Sequence, residues 1–412
     1  MFLPDDTFTF NHPPLNSSGD IYHTVALLLV LKHLGLPLPK VRVGYFDVPD
    51  GCFKTEGKLK ATELHATRAT SFASALGFDA QVQMIKVNLP RCVRINSRLK
   101  ATREAIFRED SSAKVLDQKV STGLLALIAD HLGSTAVTDI IRTGFTTYAS
   151  PLTTQLDAAS KRWLDDEYEK VRKHAAPDAQ IVIFHERLAD NQNQNNSTGR
   201  AFDAIRKKIK ALANVRQFTF RAGPAPTSWP NSSRSRAYGD CDETCSKGLT
   251  EHCVHQVRYL QLLARLKREL ITHDGGSRFL GIYGSSSGTL DAPSFMGLRA
   301  LSFHQFADGP HGRNESRRDT VRNAQDQREA LMSCFKSVAA KTQRHKDAAD
   351  IFAQWMAGSY EGLKLVATPS VDRVYTQVHT RPRKGRRSRE VAKDIAGIDK
   401  KLCTLLRRCL TR

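Results

Sequence analysis

Strand-length apolar runs alternate with helical patterns along this chain, and that alternation constrains the fold more than any other feature. KVRVGYFDV (40–48) has period two, with Val41, Val43 and Tyr45 on one side. QVQMIKVNL (81–89), IVIFHER (181–187), NVRQFTF (214–220), RFLGIYG (278–284) and GLRALSF (297–303) are further runs of strand length. Between them stand the helical patterns. In NSSGDIYHTVALLLVLKHLGL a polar turn leads into an apolar helix that ends at Gly35. Residues 59–76, 116–132 and 152–174 follow, then a helix capped by Ser197 or Thr198 and running to about residue 213. Residues 250–272 place Val257, Leu260, Leu263, Leu266 and Leu270 on one face. Residues 288–297, 319–338 and 345–364 read as helices too, and RAGPAPTSWPNSSRSRAYGD (221–240) reads as a loop from its Pro, Ser and Gly content.

Such alternation calls for parallel strands joined by crossover helices that cover both faces of a sheet. The expected fold class is α/β: two Rossmann-like parallel-sheet domains facing a cleft, with ligands at the carboxyl ends of the strands. A chain of 412 residues accommodates two domains of ordinary size. The expected partition is 1–165 for the N-terminal α/β domain and 166–340 for the C-terminal one. A helix at 341–380 would pack back on them, and 381–412 would form a basic tail.

The chain carries a net charge of +20 and a pI near 9.7. That balance points to anionic partners: nucleic acid, acidic lipid, or nucleotide and phosphate ligands. From Arg381 to Arg412 there are twelve Lys or Arg against three Asp or Glu. The tail is either a solvated charge run, a localisation signal, or a polyanion contact. No aromatic residue follows Tyr375, so the tail lacks aromatic platforms for base stacking and phosphate contacts are what remain. No run approaches the ~18 apolar residues of a membrane span. The N-terminus lacks the pattern of a secretory signal. The expected location is intracellular, in the cytoplasm, or in the nucleus if the tail acts as a signal.

Eight cysteines are too sparse for a disulfide scaffold and read as free thiols in a reducing compartment. CDETCSKGLTEHCVH groups Cys241, Cys245, His252, Cys253 and His255. These are either thiols in a loop before a helix or ligands of a structural zinc ion, although the spacing matches no standard zinc pattern.

Three stretches carry candidate chemistry. In GIYGSSSGTLDAPSF a strand runs into Gly284, Ser285, Ser286, Ser287, Gly288 and Thr289, and a helix begins. Glycines there permit close backbone approach, and hydroxyls and helix-start N–H groups together suit a phosphate. The stretch is neither a P-loop nor a G-x-G-x-x-G turn, and an ordinary capped turn is the plain alternative. In FHERLADNQNQNN, His185 and Arg187 close a strand, and an Arg fork suits bidentate phosphate binding. The alternative is an Arg paired with Asp190 in a solvated loop. In NSSGDIYHTV, Asp20 and His23 stand in the first turn of a helix; either can take a proton from a hydroxyl. The plain reading is a helix cap beside a surface histidine.

Together these stretches resemble the GT-B glycosyltransferases, and within them the fucosyltransferase-like group. That group has an H-x-R-R-G-D element after a strand of its second domain and a later Ser-rich turn before a helix near the sugar nucleotide. His185-Glu186-Arg187 matches H-x-R and Asp190 matches the closing acid, while Leu188 and Ala189 replace the second Arg and the Gly. The resemblance implies transfer of a sugar from a nucleoside-diphosphate donor, such as a GDP-linked one, to a hydroxyl acceptor without a metal. It implies an acceptor side in the first domain and a nucleotide-sugar side in the second. Arg187 would neutralise the departing phosphate with Ser286 and Ser287. Nucleotide contacts would come from His185, Arg187, Gly284, Ser285, Ser286, Ser287, Gly288 and Thr289, and the base from Asp20, His23 or Asp47. Two other readings stay open: a basic nucleic-acid-associated protein, and a catalytically inactive α/β interaction module.

Overall fold

The computed structural model describes residues 9–12, 18–47, 56–88, 115–117, 121, 124–125, 128–129, 132–152, 155–187, 200–222, 236–238, 249–285, 290–305, 335–340, 352–353 and 356. They divide into two compact units between Gly144 and Phe145, inside a helix; the sequence reading drew its boundary at 165.

The first unit holds β1 (Thr9–His12), α1 (Ser18–His33), β2 (Lys40–Asp47), α2 (Glu56–Ala75), β3 (Val82–Asn88) and β4 (Val115–Asp117). Its sheet has the order β3-β2-β1-β4, and all neighbours are parallel. α1 is apolar on every side, and Val25, Ala26, Leu28 and Val30 lie fully buried within it, as expected of a helix enclosed by its surroundings. Its end is set by Gly35 at φ 63°. There the Gly35 N–H donates to the Lys32 carbonyl (3.1 Å) and the Leu36 N–H to that of Leu31 (2.9 Å). This Schellman closure needs a left-handed residue and satisfies carbonyls that the helix leaves open. Tyr22 of α1 meets Phe72 of α2 edge to face, 5.1 Å between ring centres.

α3 (Ser134–Tyr148) contains the division. The second unit continues with α4 (Ala158–His174), β5 (Gln180–Arg187), α5 (Arg200–Lys210), β6 (Val215–Ala222), β7 (Arg236–Tyr238), α6 (Leu249–Glu269), β8 (Phe279–Ser285), α7 (Asp291–Phe295), β9 (Ala300–Gln305) and β10 (Phe335–Ala340). The six strands are parallel in the order β10-β9-β8-β5-β6-β7. Counted from β5 as the unit's first strand, that order is 3-2-1-4-5-6, the order of a doubly wound dinucleotide-type sheet. Both faces are covered. Ile205 and Ile209 of α5 pack with Val182, Phe184, Tyr283 and Leu301 on one face, and Tyr259 of α6 meets His185 and Phe220 on the other. Each such buried side chain contributes about 1.5–3 kcal/mol. Asp157 caps α4, accepting the Ser160 N–H at 2.6 Å; that bond holds its carboxyl below the usual range. α4 lies against α6, with Arg265 4.0 Å from the Tyr168 ring centre and Arg258 4.4 Å from that of Trp163.

The α/β class and the parallel sheets are thus as expected, and four local readings change. Leu116 lies in β4, so the helix expected from 116 begins later, with helical residues at 121, 124, 125, 128, 129 and 132. Arg236–Tyr238, inside the expected loop, is β7, and Phe335–Ala340, partly inside the expected helix 319–338, is β10. TFNH at the start was not read as a strand, yet it forms β1 between β2 and β4. Near 345–364, residues 352, 353 and 356 are helical. Phe352 is fully buried in the core of the second unit, with its ring 4.9 Å from that of Tyr283. The tail 381–412 lies outside the described residues. Among the described residues no helix is long and apolar enough to cross a membrane.

Candidate functional site

In a doubly wound sheet the ligand crevice opens at the carboxyl ends of the strands where the strand order reverses. In the second unit that point lies between β5 and β8, because β6 continues on one side of β5 and β9 on the far side of β8. The register puts His185 opposite Gly284 there. The structure therefore brings together two stretches that lie about a hundred positions apart in the sequence.

Gly284 has a steric reason. A Cβ built on it would collide with the His185 carbonyl, so only glycine lets β8 approach β5 this closely. The His185 side chain is fully buried, with Nδ1 3.4 Å from the Tyr259 hydroxyl oxygen and the two ring centres 5.9 Å apart. It belongs to the interior beneath α6. Burial pushes the Tyr259 hydroxyl above its ordinary pKa, which keeps it neutral and able to donate. On the other face Tyr283 donates to Gln217 Oε1 at 2.5 Å. Arg187 is the last residue of β5, opposite Ala222, and Ser285 the last of β8, opposite Phe303. Both occupy the crevice end of their strands. Ser286, Ser287, Gly288 and Thr289 lie outside the described residues, and the chain re-enters at Leu290, followed by α7 with Asp291, Ala292 and Phe295 buried.

In the first unit Asp20 lies in the first turn of α1 and Asp47 closes β2. His23 differs from the surface residue of the plain reading: it is 4% exposed, part of the packing of α1. Sequence reasoning missed His12, at the carboxyl end of β1. It is 3% exposed, and its Nε2 lies 2.9 Å from Thr24 Oγ1, which donates to Ser121 Oγ at 3.4 Å. His12 Nε2 and Thr24 Oγ1 share a hydrogen bond whose direction follows the imidazole tautomer. Burial lowers the His12 pKa to about 3, so the imidazole is neutral at physiological pH. This buried polar chain sits at the first sheet's own order reversal, between β1 and β4. The signal was available in TFTFNH, which alternates like a strand and ends in the histidine.

Cys241 and Cys245 lie outside the described residues, while His252, Cys253 and His255 fall on the first turns of α6.

No protein-family model matches the chain, and no curated protein does. Among solved structures, one assigned as a UDP-N-acetylglucosamine 2-epimerase from Listeria monocytogenes is 11% identical. The alignment covers 88% of this chain and 92% of that one, with a TM-score of 0.33. The E. coli heptosyltransferase WaaC with ADP is 13% identical over 85% of this chain and 99% of that one, with a TM-score of 0.32. Likenesses this low add no argument to what the strand order already shows.

Proposed function

We propose that the protein is a GT-B-type glycosyltransferase that binds a nucleoside-diphosphate sugar at the β5/β8 crevice of its second unit and passes the sugar to a hydroxyl acceptor. The observation that carries this reading is the close approach of Gly284 to His185 at the order reversal of a 3-2-1-4-5-6 sheet. It sets the end of β5, with Arg187, beside the end of β8, with Ser285. A diphosphate needs donors that converge on its oxygens, and Arg187 with the serine run 285–287 supplies residue types suited to that task. In this reading Arg187 neutralises the charge that develops on the leaving phosphate, which requires no metal. His185 acts as scaffold beneath the crevice through Tyr259.

The test is release of nucleoside diphosphate from GDP-, UDP- and ADP-linked sugars by the wild type and by Arg187→Ala. The reading expects release from one donor class and loss of about a hundredfold or more in the variant, the scale of removing one stabilising donor. Equal release by both proteins would refute the assignment of Arg187. Absence of release from every donor would refute the activity.

A further inference from the structure

Among the described residues, the other edge of the second sheet is covered only in part. β7 pairs with β6 only over Phe220–Ala222. Among the described residues, then, positions 215–218 have a strand neighbour on the β5 side alone. The ladder fixes which backbone groups face outward. Gln180 lies opposite Val215 and donates its N–H to the Asn214 carbonyl at 2.7 Å. In a parallel ladder that turns positions 214, 216 and 218 toward β5, and Gln217 and Thr219 toward the other side. With Phe220 opposite Arg236, the Thr219 C=O is taken by β7, which leaves the N–H and C=O of Gln217 and the N–H of Thr219 facing outward.

A groove of about 900 Å3 runs along this edge between α4 and α5. Lys170, His174, Arg206, Lys210 and Arg216 line it against one carboxylate, Glu167, which Lys170 Nζ meets at 2.7 Å. Excluding the histidine, four cations face one anion. α4 and α5 each end where the chain turns into the start of β5 and β6. The groove therefore lies toward the amino end of the sheet, away from the β5/β8 crevice. Basic side chains on an edge strand also guard against pairing with a second copy of a chain this positive. The same charges select an acidic strand over a basic one.

We propose that this edge binds an acidic segment of a partner polypeptide as an added, extended strand alongside Val215–Thr219. The N–H and C=O of Gln217 and the N–H of Thr219 supply the backbone ladder, and Lys210, Arg216 and Arg206 meet the acidic side chains. Strand addition takes its affinity from main-chain bonds and its selectivity from the flanking side chains.

The probe is a fluorescein-labelled peptide of about ten residues with alternating Glu and Val, long enough for one strand. Binding to the full chain is read by fluorescence anisotropy, and amide exchange is read by mass spectrometry over residues 215–220. Binding should slow exchange in that segment. It should weaken tenfold or more in Lys210→Glu/Arg216→Glu, whose side chains are exposed, and also in Thr219→Pro, which removes one edge donor. Proline is tolerated at such an edge position. Should Thr219→Pro lower the thermal midpoint, the charge-reversal pair together with the exchange measurement decides. Unchanged affinity in the charge-reversal pair, or no protection at 215–220, overturns the proposal. It is also overturned if a labelled oligo-dT binds the groove and the charge reversal weakens it while Thr219→Pro leaves it intact. That result would make the groove a phosphate contact.

Discussion

The buried histidine of β1 makes a prediction that can be worked through from the structure. His12 is enclosed and neutral, with a pKa near 3 in the folded chain against an ordinary 6.5. Above pH 6.5 neither the folded nor the unfolded chain protonates it, and its contribution to stability is constant. Below 6.5 the unfolded chain takes up a proton that the folded chain refuses, so stability falls as pH falls, down to about pH 3. The slope approaches about 1.4 kcal/mol per pH unit once the unfolded histidine is mostly charged. Between neutral pH and about pH 5 this one residue removes roughly 2 kcal/mol. His12→Gln offers Thr24 both an amide donor and an amide acceptor and cannot titrate. Urea unfolding by far-ultraviolet circular dichroism, at neutral pH and at about pH 5 on both proteins, gives a double difference in which the shared carboxylates cancel. The wild type should lose about 2 kcal/mol more than the variant. Parallel pH profiles would refute the reasoning, because they would mean that the imidazole is hydrated or carries its proton in the fold.

Gly284→Ala should destabilise by about 1–3 kcal/mol or more, since the new methyl meets backbone. Gly144→Ala is the contrast. There the nearest atoms to a Cβ belong to the Leu29 side chain, with Cδ1 at 2.5 Å and Cδ2 at 2.7 Å, and α3 gains about 1 kcal/mol of helix propensity. Thermal midpoints should therefore fall clearly for Gly284→Ala and much less for Gly144→Ala, and the reverse order would contradict the β5/β8 register. Phe352→Ala should cost about 3–5 kcal/mol in urea unfolding, because its ring fills the core against Tyr283. A cost under about 1 kcal/mol would mean that Phe352 does not close that core.

What the sequence disclosed follows from where its residues lie. IVIF in β5 is buried on both faces, so it reads as an unbroken apolar run. The stripe Val257, Leu260, Leu263 and Leu266 reads as one face because it is the buried side of α6, and Leu270 continues it just past the helix end. Of the four misread strands, β4, β7 and β10 stand at sheet edges, while β1 is an interior strand of only four residues. An edge strand is paired on one side and can be short, so its local pattern is overruled by neighbouring helical or loop composition. The site was legible in its residue types and not in its assembly. No local pattern can reveal that Gly284 lies against the His185 carbonyl, because that contact exists only once β5 and β8 are neighbours. Likewise His23 looks like a cap-side surface residue until α1 is enclosed on all sides, and the chain His12–Thr24–Ser121 joins residues from three separate stretches.

The measurement that bears most directly on the central claim is a thermal-shift titration of the wild type and Arg187→Ala with GDP, UDP, ADP and NAD. If the β5/β8 crevice holds a nucleoside diphosphate, one diphosphate at about a hundred times its dissociation constant should add roughly 2.7 kcal/mol to the wild type and little to the variant. No shift with any nucleotide, together with tight, salt-sensitive binding to RNA or DNA, would contradict it and assign the crevice end of the sheet no diphosphate at all.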